Sequence, residues 1–192
     1  MTSRLPADVA SESGRRGVEW TTDQVTAAHA QWRRHGWDDA ADGMATVLDL
    51  IRVHRILLDR IDQTLRPLDL TFARYEILML LSFTKRGGLS IGGMGELLQV
   101  HTTSVTSAVD RLEGDGLVGR IRSDVDGRKV TVRITQQGRT TASTATETLN
   151  ADVFTALGLS PSQGTRLWSL LRAFRANAGD FDVVTNRARR TG

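Results

Sequence analysis

The chain of 192 residues is 40% hydrophobic and 24% charged, with 25 basic and 22 acidic side chains and no cysteine. That length fits one ordinary domain with a sizeable core, and the missing thiols exclude disulfides, thiolate metal sites, iron–sulfur centres, cysteine nucleophiles and thiol redox switches. No apolar run approaches the ~18 residues of a membrane span, and the N-terminal residues lack the basic-then-apolar order of a secretory signal, so a cytoplasmic protein with no membrane partner is expected.

Residues 1–20 mix Ser, Gly, Pro and alternating charges without periodicity and read as a disordered tail. A helix is expected from Thr21, where Thr21-x-x-Gln24 fits a capping box and Val25, Ala28 and Trp32 share one stripe, with Gly36 as its stop. Met44 to Leu65 carries two apolar stripes, Met44, Val47, Leu48, Ile51, Leu58, Ile61 and Leu65 on one side and Leu50, Val53 and Leu57 on another. A helix apolar on two sides must bury both, one in its own domain and the other against a second subunit. Pro67 ends it, Thr71 is placed to cap a core helix over Phe72–Phe83, and Lys85-Arg86-Gly87-Gly88 is a break.

Ser90 caps a short helix to Leu98 whose Gly92, Gly93 and Gly95 each cost ~1 kcal/mol relative to alanine, so packing must hold it. After Gln99-Val100-His101, Thr102–Glu113 places Val105, Val109 and Leu112 on one face, and Gly114 and Gly116 close it. Two β segments follow, Leu117–Arg122 and Lys129–Thr135, with Asp126-Gly127 at the tip of a hairpin. Thr135 caps a helix expected to reach Leu157, and Ser160-Pro161-Ser162-Gln163 starts a last helix expected to bury Leu167, Trp168, Leu171 and Phe174.

Helix, tight turn, helix and basic hairpin is the layout of a winged helix-turn-helix, a mainly α fold with a small β-hairpin wing. Thr102, Thr103, Ser104, Thr106 and Ser107 put short hydroxyl side chains on the leading turns of the second helix, where they can approach base edges or phosphates closely. The wing tip offers Asp126, Arg128 and Lys129: the arginine suits the negative potential of a narrow minor groove, and the aspartate can orient it. Gly116 to Arg139 holds Arg120, Arg122, Arg128, Lys129, Arg133 and Arg139 against Asp124 and Asp126, a local basic patch. Read alone, the hydroxyls are helix caps and the hairpin a solvated turn; together they favour double-stranded DNA.

The run Leu70-Thr71-x3-Tyr75-Glu76-Ile77-Leu78, then Thr102-Thr103-Ser104-Val105-Thr106-x3-Asp110-Arg111-Leu112-Glu113-x2-Gly116-Leu117-Val118-x-Arg120, then Asp126-Gly127-Arg128-x6-Thr135-x2-Gly138 resembles the MarR family of transcriptional regulators. The resemblance spans roughly Met44 to Phe174. It implies a homodimer held by the N- and C-terminal helices, two winged domains on a pseudo-palindromic site with half-sites ~10 bp apart, and a ligand-responsive repressor or, less often, an activator. On that reading 21–43 is an additional N-terminal helix and linker, 44–66 a dimerisation helix, 67–135 the DNA-binding domain, 136–178 the C-terminal dimerisation helices and 179–192 a loose tail. The family's wing often has Asp-Arg-Arg; here Gly127 takes the middle place, so the minor-groove role passes to Arg128 and the orienting role to Asp126. The lack of cysteine separates the chain from the peroxide-sensing branch, and Phe83, standing where the urate-sensing branch has arginine, argues against urate. An effector pocket is expected where the dimer helices meet the DNA-binding domain, with Trp32, Trp37, His54, Arg55 and Arg74 offering a ring stack and cations to a small aromatic or carboxylic acid.

Enzymatic signatures fail: there is no His-Glu-x-x-His, Gly-x-Ser-x-Gly or Walker loop, and His29, His35, His54 and His101 lack metal-ligand spacing, so no cofactor or metal is expected. The rival readings are a winged-helix protein-interaction module and a non-specific architectural DNA-binding protein.

Overall fold

A computed structural model describes residues 23–84, 88–122 and 130–181, with the backbone alone at Arg122. The chain divides between Leu57 and Leu58 into two compact units. In the first, α1 (Gln24–Arg34) starts at an aspartate, not at Thr21, which lies outside the described residues: the Asp23 carboxylate accepts the N–H groups of Val25 at 3.4 Å and Thr26 at 2.8 Å. Gly36, at φ 78°, provides the turn. The next helix, α2 (Asp38–Leu65), begins six residues before Met44 because Asp38 and Asp39 fall in its first turn, where carboxylates suit the positive end of the helix dipole. Arg33 pairs with Asp38 at 3.0 Å, His29 with Asp42 at 2.8 Å, and Val25 and Ala41 are buried, so α1 folds back on the start of α2.

The second unit holds the last turns of α2, α3 (Phe72–Phe83), α4 (Ile91–Leu98), α5 (Thr102–Gly114), β1 (Val118–Arg122), β2 (Val130–Ile134), α6 (Gln136–Leu149) and α7 (Pro161–Asn177). Thr71, Ser90, Thr135 and Ser160 cap α3, α4, α6 and α7 as their positions predict, and Ser160 with Gln163 forms a complete capping box. The strands pair antiparallel from Val118 opposite Ile134 to Arg122 opposite Val130. The Asp126-Gly127 tip expected between them lies outside the described residues. Leu89 adds a one-residue bridge to Val132, with hydrogen bonds of 3.0 and 2.8 Å. One core joins Leu65, Leu78 and Leu81 to Met94, to Val105, Val109 and Leu112 of α5, to Val118, Val132 and Ile134 of the hairpin and to Ala145 and Leu149 of α6. The glycines of α4 are partly explained by this packing: Gly95 is buried, and a Cβ there would lie 3.1 Å from the Val100 carbonyl and 3.4 Å from the Thr102 methyl.

Two expectations need correction. The helix after Thr135 stops at Leu149 instead of Leu157 and passes into a π turn over Asn150–Phe154, in which Thr155 donates both its N–H and its hydroxyl to the Asn150 carbonyl. And α7 buries none of its residues in this chain: Leu167, Trp168, Leu171 and Phe174 are all exposed, Trp168 and Phe174 at 66% each. Along α2, Val47, Leu48, Ile51, Val53 and Ile56 are exposed as well.

Candidate nucleic-acid interface

The helix–turn–helix is set by three consecutive residues with different jobs. Gln99 takes a left-handed conformation, φ 55°, and ends α4; Val100 returns its N–H to the Gly95 carbonyl at 3.0 Å; His101, extended, starts α5. The His101 Nδ1 accepts the Thr103 N–H at 3.3 Å and lies 2.9 Å from the Thr103 hydroxyl, so an imidazole does the capping that Ser, Thr or Asp usually does. Sequence periodicity places His101 in the turn but does not disclose this role. Val105, Val109 and Leu112 are fully buried, which fixes the rotation of α5 and turns its opposite face outward.

On that outer face Thr102, Thr103, Ser104 and Ser107 are exposed. Thr106 stands apart: it is half-buried and its hydroxyl donates to the Thr102 carbonyl at 2.9 Å. Ser104, Ser107 and Arg111 lie at relative positions 0, 3 and 7, one stripe of a helix. All three are exposed, and no hydrogen bond or ion pair joins their side chains to another described residue. With Thr71 and Arg74 from the start of α3 they line a groove of about 700 Å³. Arg74 reaches Asp115, just beyond α5, at 3.2 Å. Arg111 was no sequence candidate, although its spacing of four from Ser107 already put it on the hydroxyl face.

The wing is tied to α5 by one arginine. Arg120 of β1 pairs with both Asp110 and Glu113, and its backbone N–H donates to the Glu113 carboxylate at 3.1 Å. The Asp110 hydrogen bond, and then those to Glu113, push its guanidinium above the usual arginine range against the opposing effect of burial. Arg120 therefore does not add to the basic patch; two carboxylates on α5 already answer it. Arg133 and Arg139 are exposed. The wing candidates Asp126, Arg128 and Lys129 lie outside the described residues.

The expected effector residues divide between the two units. In the first, Trp32 and Trp37 meet edge to face at 5.3 Å, the His35 ring stacks on Trp37 at 5.2 Å, and His54 and Arg55 are exposed on α2. Arg55 rims a groove of about 580 Å³ with Leu48, Ile51, Arg52 and Ile56. Arg74 belongs to the second unit and faces the groove beside α5. Among the described residues no three His, Asp or Glu side chains come together as a metal site, and no helix is long and apolar enough to cross a membrane.

A model described as MarR family matches residues 70–130. An organic hydroperoxide resistance transcriptional regulator of Bacillus subtilis is 30% identical over 129 residues, 67% of this chain and 79% of that one. The structure of Sco5413, a MarR family transcriptional regulator from Streptomyces coelicolor, is 40% identical and superimposes with a TM-score of 0.67 over 73% of this chain and 98% of that one. Sco3205 from the same organism, a MarR family regulator in complex with DNA, shares the fold at 22% identity and a TM-score of 0.62, covering 71% of this chain and 88% of that one.

Proposed function

Because the chain belongs to the MarR family of transcriptional regulators, and is thus a DNA-binding regulator with no enzymatic role, we propose that it binds a specific pseudo-palindromic site as a homodimer and represses transcription until a small molecule releases it. The observation that carries this reading is the outward face of α5: exposed Thr102, Thr103, Ser104 and Ser107 on a helix whose other face is locked into the core. Small hydroxyls let a helix approach base edges, and a rigid support holds the register that sequence-specific contacts need. In this proposal Thr106 supplies its methyl group, and Asp126, Arg128 and Lys129 take the wing contacts.

A homodimer accounts for the exposed apolar side chains on α2 and on α7. A monomer would leave Trp168 and Phe174 in water, and a second copy provides an apolar surface for them. The effector is assigned to the first unit, at the groove where Arg55 and Arg52 offer cations to a small aromatic or carboxylic acid; Trp32 and Trp37 meet at the start of α2, ~24 Å along the helix from His54, and stand outside that groove. A cytoplasmic location follows from the target, chromosomal DNA.

The test is selection of genomic fragments by the purified protein at two salt concentrations. The expected result is a two-fold symmetric motif with half-sites ~10 bp apart and binding that weakens steeply with salt. Salt-sensitive binding without a motif would replace this reading with an architectural role, and no binding at either salt would favour a protein-interaction module.

A further inference from the structure

The groove between the start of α3 and the outer face of α5 holds two arginines, Arg74 and Arg111, beyond the hydroxyls that base reading uses. Ser104, Ser107, Arg111 and Arg74 all line it; Arg111 lies two turns beyond Ser104, and one turn before Asp115, the carboxylate that Arg74 reaches from a different helix at 3.2 Å. Seven residues of helix advance about 10.5 Å, and the major groove of B-DNA is about 12 Å wide. The major groove is also about 8.5 Å deep, so a helix that enters it by its N-terminal turn and sets Ser104 against the bases holds Arg111 back at the level of the phosphates on the groove's edge.

We propose that Arg111 and Arg74, with the Thr71 hydroxyl beside them, form a seat for one DNA backbone phosphate. The inference rests on the DNA-binding reading above and adds to it residues that neither the hydroxyl-rich turn nor the wing includes. The chemistry fits: a guanidinium offers paired donors in the geometry of phosphate oxygens, and Arg111 has no carboxylate within ion-pair distance among the described residues. Arg74 is half-prepared. Its Nη1 is 3.2 Å from Asp115 Oδ2, and that carboxylate is half-exposed, so an arriving phosphate shares Arg74 with an anion already present. Asp115 thus weakens the seat, and its removal strengthens it.

The experiment measures affinity of the full chain for its selected duplex from 50 to 200 mM salt. With Arg111→Ala, one phosphate contact fewer lowers the slope of log affinity on log salt by about 0.9. The affinity loss, about ten-fold at low salt, then becomes about 3.5-fold smaller at the high-salt end of that range, and it is equal for specific and random duplexes because a phosphate carries no sequence. Arg111→Lys restores most of the loss, and Asp115→Asn tightens binding. An unchanged slope in Arg111→Ala overturns the seat while leaving the DNA-binding reading standing. A loss confined to particular base pairs overturns it too, by making Arg111 a base reader. Wild-type protein that binds no duplex overturns the DNA-binding reading and the seat with it. Should Arg111→Ala fail to fold, Asp115→Asn decides alone, and unchanged affinity in that variant overturns the proposal.

Discussion

Helix propensity and packing make opposite predictions for Gly138→Ala, which makes this substitution a sharp test of the fold. Gly138 sits in the first turn of α6, where its N–H donates to the Thr135 hydroxyl at 3.0 Å. By propensity alone, alanine in a helix gains up to ~1 kcal/mol over glycine. The structure places a new Cβ against the Leu117 carbonyl oxygen and 2.8 Å from Ile134 Cγ1, well inside the 3.5–4.0 Å at which carbon atoms rest. Leu117 cannot simply retreat, because its carbonyl also accepts the Thr135 N–H at 3.0 Å and the Thr135 hydroxyl at 3.1 Å. Overpacking of this kind costs ~1–3 kcal/mol and weakening those hydrogen bonds ~1 kcal/mol each, so the net destabilisation is about 3 kcal/mol after the propensity gain. With a urea slope of ~2 kcal/mol/M, the midpoint falls by about 1.5 M. The assay is urea unfolding of wild type and variant at equal protomer concentration, since dimer stability depends on concentration. Gly92→Ala is the matched control: a Cβ added there would meet nothing within 4 Å, so it stabilises by ~0.5–1 kcal/mol. A rise in midpoint for Gly138→Ala like that for Gly92→Ala would refute the close contact of α6 with the base of the wing.

Three further outcomes are expected. Burial pushes the Glu76 carboxyl above the usual range; the folded protein thus holds that proton to higher pH than the unfolded chain, and the stability this gives is full below the unfolded value and lost as pH rises through the folded one. Glu76→Gln should accordingly be more stable than wild type at neutral pH and lose that advantage in acid, and unfolding curves without such a pH-dependent gap would exclude the effect. Trp168→Asp, at a 66% exposed position, should leave the winged domain folded and yield monomers in sedimentation analysis; a persistent dimer would remove α7 from the interface. Arg128→Ala should weaken DNA binding and lower the salt slope by about one contact, and an unchanged slope would take the wing tip off the contact surface.

The order of elements and most of their ends are legible in the amino-acid sequence. Thr71, Ser90, Thr135 and Ser160 are caps because their hydroxyls each meet the amide three residues on, an interaction written in local chemistry. The inward face of α5 is equally legible, since Val105, Val109 and Leu112 repeat with the period of a helix. Spacing cannot carry the rest, which depends on packing in three dimensions. Folding gives the cap of α5 to His101, a residue type with weak capping preference, and ends α6 eight residues early through a π turn. It takes Arg120 out of the basic patch by setting it between Asp110 and Glu113, ten and seven residues away. It also sets Arg74 and Arg111, from two helices, along one groove, a juxtaposition that no local period encodes. The exposed face of α7 shows the same division: its apolar pattern is fixed by the order of residues, but whether that face is covered depends on contacts formed in space, because hydrophobic burial is a property of surfaces brought together and not of a residue's place in the chain.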